Sequence, residues 1–252
     1  WQPQYLELIK RIHDGELGEI VGGQAYWNWG HAKWHYQDRK PGWSDMEWQI
    51  RCWPYFTWLS GDHFVEQHLH NIDVLNWAIG SPPVKCLGMG GRQARTGPEF
   101  GNIYDHFTVE YEYAGGIRVT SMASQIEGST PRVGERVLCA KGATYTTRAE
   151  GYIDDVSGKR IFKYDDPIHS GEISQCANLI KSIRNGKPIN EGKRIAESTM
   201  TVIMGRMSAY TGRALKWDWA MKASKLDLSP EKLEMGEMPV RPVAVPGITK
   251  LV

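Results

Sequence analysis

From Val84 to about Tyr164 the apolar residues of this chain recur at every second position, and that period limits the fold more than any other feature of the sequence. Phe107, Val109, Tyr111 and Tyr113 alternate with His106, Thr108, Glu110 and Glu112, and Ala114-Gly115-Gly116 then turns the chain into Ile117, Val119, Ser121 and Ala123. Side chains two apart share one face of a strand, so a run of this kind folds as strands with one apolar side. The connections are too short for helical crossovers, which predicts five to seven mostly antiparallel strands. The strands also carry Tyr, Met, Val and Thr on their second side, so one face is expected to pack on helices and the other on a further copy of the chain, as a homodimer or homotetramer.

The helices that would cover such a sheet lie on either side of it in the sequence. Tyr5, Leu8, Ile9 and Ile12 predict a helix over 3–14, stopped at Asp14-Gly15, and a strand follows at 19–29. A second helix is predicted over 60–79, with Ser60 or Asp62 as its cap and Gly80-Ser81-Pro82-Pro83 as its stop. Two more close the domain. One spans about 170–185 with Ile173, Ala177, Ile180 and Ile183 facing in, and the other spans 192–211 and ends at Gly212. The fold class expected is therefore α+β, a large open mainly antiparallel sheet with helices on one face, forming a single domain over 1–252. A Trp-rich insertion occupies about 29–58, and an extended tail rich in Pro and Gly occupies about 229–252.

Composition removes several function classes. Thirty basic and twenty-nine acidic side chains are evenly mixed, so the dense positive field that binds a phosphate backbone is missing and nucleic acid is not an expected partner. Apolar runs such as Val202-Ile203-Met204 fall far short of the roughly 20 residues that span a bilayer. The first residues lack a charged-then-apolar signal pattern; any export signal would precede Trp1, so the compartment is left open. Cys52, Cys86, Cys139 and Cys176 lie more than thirty residues apart, mostly among apolar neighbours, and read as free thiols. No GxGxxG or GxxxxGK[ST] turn links a strand to a helix, so no dinucleotide cradle is recognisable.

Two constellations carry chemistry. On the 60–79 helix, His63, Glu66, His70, Asp73 and Trp77 recur at spacings of 3, 4, 3 and 4, opposite the apolar stripe of Phe64, Val65, Leu69, Ile72, Leu75 and Ile79. A carboxylate one turn before a histidine can fix its tautomer and raise its basicity, so His70 is the candidate acid/base, Glu66 its orienting partner and Asp73 a substrate or supporting contact. The competing reading is a solvated helix face. Metal ligation by His63, Glu66 and His70 would need a matching cluster elsewhere, and only the isolated His106 and His169 remain, so no metal is assigned. The second constellation is tryptophan: nine of the eleven lie at or before Trp77. Trp34, Trp43 and Trp53, interleaved with Arg51 and Asp45 and joined by His63, suit a carbohydrate, whose C–H face packs on aromatic rings while polar groups hold its hydroxyls. Packing under a long loop, or a subunit contact, is the alternative for these rings.

The segment Tyr5 to Ile20 with Gly15-x-x-Gly18, the run His70-Asn71-Ile72-Asp73 before Trp77-x-x-Gly80, Gly88-x-Gly90, Asn178-x-Ile180-x-x-Ile183-Arg184-x-Gly186-Lys187-Pro188, and Arg206 to Arg213 followed by Trp217 resemble, in order, the C-terminal domain of Gfo/Idh/MocA-type oxidoreductases. The Trp-rich insertion resembles an inositol dehydrogenase-like subgroup. The resemblance implies that a separate N-terminal Rossmann domain, ending in a Glu-Lys-Pro segment, holds NAD or NADP, while this domain supplies the substrate pocket and oligomer contact. The cofactor is thus expected only in the full-length protein and none is expected to bind this chain alone. The resemblance also maps the family's D-x-x-x-H pair onto Glu66 and His70, with glutamate for aspartate and His68 where glycine is common. The function implied is the substrate-binding and catalytic half of an NAD(P)-dependent oxidoreductase acting on a sugar, polyol or inositol-like molecule. Its rivals are an NAD-dependent glycosidase or lyase of the same family and a non-enzymatic carbohydrate-binding or assembly module.

Overall fold

The computed structural model describes residues 1–30 and 34–252; three residues of the Trp-rich insertion fall outside them. The elements run α1 (Pro3–His13), β1 (Ile20–Asn28), α2 (Asp45–Arg51), α3 (Thr57–Ser60), α4 (His63–Glu66), α5 (Leu69–Ile79), β2 (Lys85–Gly91), β3 (His106–Glu112), β4 (Arg118–Ser124), β5 (Arg132–Cys139), β6 (Gly142–Thr146), β7 (Gly151–Asp155), β8 (Arg160–Lys163), α6 (Gly171–Arg184), α7 (Gly192–Thr211), β9 (Leu215–Lys216) and α8 (Trp217–Lys222). The described strands form one open sheet in the order β8-β7-β6-β5-β1-β4-β3-β2-β9. Within it β1 lies parallel to β4 and antiparallel to β5, and the remaining pairings are antiparallel. The α+β architecture expected from the alternating pattern is the one observed, with seven strands between residues 85 and 163.

The alternation sorts the sheet into a dry face and a wet one. Ala25, Val109, Tyr111, Val119, Val137 and Ile153 turn inward, are almost fully buried, and pack with Leu8, Phe64, Leu75 and Val202 in a single core. Helices α1, α5 and α7 supply that cover. Glycine lets α7 approach: a Cβ at Gly205 would meet the Tyr111 hydroxyl at 2.1 Å, and one at Gly88 would meet backbone atoms of α7 at 3.0 Å. Beside this close approach Ser208 Oγ accepts the Gly88 N–H at 2.8 Å. The outward positions are Gln24, Tyr26, Thr108, Glu110, Thr120, Met122, Leu87 and Met89, paired across strands in that face. The inward valines Val109, Val119 and Val137 and Tyr111 belong to the core, and the outer face carries methionine, threonine, charge and the tyrosines Tyr26, Tyr145 and Tyr152.

Two helical expectations need correction. The segment 60–79 is three pieces, because Gly61 (φ 73°) and Asp62 (φ 85°) break the backbone before α4, and the chain bends again at Gln67 and His68 before α5. Asp62 is not spent as a helix cap: its Oδ2 accepts the Tyr104 N–H and the Tyr210 hydroxyl, which hold this non-glycine residue at positive φ. The second correction is α6, which contains no buried residue; Ile173 is 72% and Ile183 63% exposed. Its amphipathic period is present, but α7 covers the sheet and the apolar stripe of α6 stays at least half exposed among the described residues. No described helix is long and apolar enough to cross a membrane.

Candidate active site around His70

His70 lies in the first turn of α5, with its imidazole exposed on the helix side of the sheet. The Trp27 ring, near the end of β1, lies 6.0 Å from it at 37°, and Trp29 continues the aromatic wall 6.3 Å from Trp27. The crowding of protein around His70 lowers its pKa from the ordinary histidine value, with Arg148 adding to the shift and Asp73 opposing it. The ring is therefore neutral at pH 7, with the lone pair a proton acceptor needs.

The backbone bend before α5 separates the rest of the expected stripe. Glu66 ends α4, half-buried, with its pKa raised by burial, and its carboxylate makes no hydrogen bond among the described residues. Asp73 takes both oxygens to Arg194 Nη1 at 2.6 Å and accepts the Ser198 hydroxyl at 2.7 Å, so it clamps α5 to α7. His63 is buried against Phe107, 5.3 Å between centroids, and both its ring nitrogens lack a hydrogen-bond partner. Burial holds it neutral, with a pKa of about 3. His63, Glu66 and His70 do not converge, and among the described residues no group of His, Cys, Asp and Glu could hold a metal ion.

Beneath His70 lies a buried polar chain that helical spacing does not reveal. His68 faces Asn71 Oδ1 through Nδ1 at 3.2 Å and Ser121 Oγ through Nε2 at 2.7 Å, and Asn71 donates to Glu135 Oε1 at 2.6 Å. Ser121 and Glu135 stand on β4 and β5, so the start of α5 is tied to the middle of the sheet. Burial pushes the Glu135 carboxyl up to about 8, with the Asn71 and Tyr5 side chains opposing it. Only the unusual His68 hints at this network in the sequence; neither Glu135 nor Arg194 carries a motif, because both act through partners more than sixty residues away.

The tryptophan-rich insertion divides into separate clusters. Cys52, Tyr55, Phe56 and Ile103 form a small core of their own, with Tyr36, Trp48 and Trp58 around it. Trp34 and Trp53 pack edge to face at 5.6 Å beside His35. Trp43 lies under the Arg51 guanidinium at 4.6 Å and has Lys40 at 5.5 Å. Arg51 also pairs with Glu47 at 3.0 Å, and Asp45 pairs with Arg39 at 2.7 Å while accepting the Met238 N–H. Among the described residues Trp34, Trp43 and Trp53 make no ring contact with His70; the rings that do line it are Trp27 and, behind it, Trp29. Trp27 is nonetheless legible in the sequence, since it ends a predicted strand that leads into the tryptophan-rich stretch.

Among the described residues no strand passes through a glycine-rich turn into a helix N-terminus. The GFO/IDH/MocA C-terminal domain family matches residues 5–144. The aldose-aldose oxidoreductase of Caulobacter crescentus, solved with glycerol, superposes with a TM-score of 0.66 at 18% identity over 85% of this chain and 61% of its own. An oxidoreductase from Agrobacterium radiobacter, solved with NAD+, L-tartaric acid and magnesium, gives 0.62 at 13% identity over 86% of this chain and 62% of its own. In sequence, the 2,7-anhydro-N-acetylneuraminate hydratase of Escherichia coli K12 is 28% identical over 107 residues, 42% of this chain and 25% of the relative. The chain thus spans about three-fifths of the length of these solved structures and a quarter of that of the hydratase. With the family match extending over more than half of its residues, and the same open sheet in the solved oxidoreductases, the chain belongs to the GFO/IDH/MocA C-terminal domain family.

Proposed function

We propose that this chain is the substrate-binding and proton-handling half of an NAD(P)-dependent oxidoreductase that acts on a sugar, polyol or inositol-like molecule. The observation that carries the reading is His70: a neutral, solvent-reachable imidazole with the Trp27 ring 6.0 Å away, on a helix anchored to the sheet by a buried polar chain. A ring face of Trp27 suits the C–H side of a polyhydroxylated substrate, while His70 accepts the proton of the hydroxyl being oxidised. Asp73 opposes the lowering of the His70 pKa at a distance, and its bond to Arg194 keeps α5 in place. Glu66 has a half-buried carboxyl without a hydrogen bond among the described residues and is assigned a substrate contact or an orienting role. Trp34, Trp43, Trp53, Arg51, Asp45 and His63 are proposed as an outer wall only where substrate reaches the insertion; His63, being buried, is the weakest of them. The nicotinamide nucleotide is assigned to a Rossmann domain outside this chain, and assembly to the outer sheet face.

A second reading, elimination or hydration at a glycosidic carbon, is favoured by the sequence likeness to a hydratase and by the glutamate at position 66. Removal of a general base costs about 100-fold to 10,000-fold in rate. In the complete enzyme His70→Ala is expected to lower turnover by that order with sugar or polyol substrates, while Trp27→Ala raises KM. Product analysis separates the readings: oxidation accumulates NAD(P)H stoichiometrically with product, whereas elimination or hydration leaves none. Near-normal turnover with His70→Ala would remove the active site from this helix.

A further inference from the structure

A cavity of 280 Å³ lies apart from the His70 site, between the C-terminal half of α7, Thr57 and Asn102 on one side and the tail after Ser224 on the other. None of His70, Glu66, Asp73 or Trp27 lines it. It is far larger than the roughly 30 Å³ a single water occupies and close to the lower end of small-molecule sites. Most of its wall is apolar, from Met207, Leu226, Leu228, Val243 and Leu251. Its ionisable side chains are all cations apart from the Tyr210 phenol: Arg206 within, and Arg241 and Lys250, both solvent-exposed. No aspartate or glutamate side chain lines it.

Arg206 is the informative group. It is only 4% exposed, its Nη1 donates to the Gly61 carbonyl at 2.9 Å, and its guanidinium stands 5.8 Å from the Tyr210 ring. That is its single side-chain hydrogen bond among the described residues, and it has no ion pair there. The acid that acts on it, Asp62, is held at longer range and spends Oδ2 on the Tyr104 N–H and the Tyr210 hydroxyl. The guanidinium keeps its proton, and the N–H groups that make no hydrogen bond to the protein are not sealed from solvent, so they stand open to an anion that enters the cavity. Apolar walls around an underbonded cation describe a receptor for a molecule with one anionic end and an apolar body.

We infer that the cavity between α7 and the C-terminal tail binds a small amphiphilic carboxylate, whose carboxyl group meets Arg206 and whose apolar part lies along Met207, Leu228 and Leu251. Arg241 and Lys250 draw the anion in. The site is independent of the reaction proposed above and needs no cofactor domain.

Sodium octanoate is the probe, with 1-octanol as its uncharged counterpart, and isothermal titration of the purified chain is the measurement. Octanoate is expected to bind one site per chain with a Kd on the order of 0.1 to 1 mM, and octanol more weakly. Arg206→Met removes the charge-assisted hydrogen bond, so it should weaken octanoate by about 10-fold to 100-fold and leave octanol unchanged. Arg206 is buried, so the doubly substituted Arg241→Ala, Lys250→Ala chain, altered only at exposed positions, provides the test if Arg206→Met does not fold. Its expected result is several-fold weaker octanoate binding with a smaller dependence on salt. Equal affinity for octanoate and octanol, octanoate binding unchanged in the folded variants, or no saturable binding would each overturn the proposal.

Discussion

Glu135 is a carboxyl group wholly inside the protein, with Asn71 donating to one of its oxygens. Burial raises its pKa from 4.5 to about 8. Between those two values the folded chain keeps a proton that the unfolded chain has released. The stability it contributes is therefore whole below pH 4.5 and is lost as pH rises through the window to about 8. Glu135→Gln keeps the acceptor for Asn71 and removes the titration, so its melting temperature relative to the parent should rise from pH 5 to pH 9. A difference that does not change with pH would show that Glu135 ionises at an ordinary value. The same neighbourhood shows how far a sequence can be read. His70, Glu66 and Asp73 are visible because they are four and three apart, but their partners are not: Asp73 belongs to Arg194 through tertiary contact, and Glu66 is taken out of register by the bend at Gln67 and His68. Spacing identifies neighbours only while the helix is continuous.

Among the elements, the strands are the most legible and α6 the least. Inward Phe107, Val109 and Tyr111 are each within 1% of full burial, as their period of two requires. Period alone does not reveal whether a face has a partner, and α6 has the pattern of a core helix without being in a core. Its stability as a helix then rests on local hydrogen bonds, which exchange with water through small openings. In the 252-residue chain, amide exchange along α6 should be complete well before that of α7, whose Thr201, Val202, Met204 and Ser208 are fully buried. Serine at Ile173, Ile180 and Ile183 together should leave the stability of this chain within about 0.5 kcal/mol of the parent in a urea titration, as surface changes do. In a protein that carries the proposed cofactor domain, protection of α6 would show where that domain rests. Exchange in α6 as slow as in α7 would mean that it is packed in solution by something other than the described residues.

For the whole molecule, the sheet has one face covered by α1, α5 and α7 and one face left to solvent. On the open side Met89 pairs across Thr108 and Met122 to Tyr26, with Leu87 one pair along, and Met89 is 57% and Leu87 49% exposed. Glu110 and Arg118 bridge at 2.8 Å beside this strip, so apolar and oppositely charged groups lie side by side. A surface of that kind is able to meet its own image, because a twofold contact uses the same patch on both copies and this one carries both signs of charge beside its methionines. Its exposed Leu87, Met89 and Met122 are the apolar part that such a contact would bury. Sedimentation equilibrium at micromolar concentration should therefore give a dimer or tetramer. Met89→Lys with Met122→Lys places like charges from both copies across the axis of each dimer without touching the core, so the variant should sediment as a monomer with an unchanged circular dichroism spectrum. Should the unaltered chain sediment only as a monomer, or the lysine variant remain fully assembled, the outer face of the sheet is not the contact.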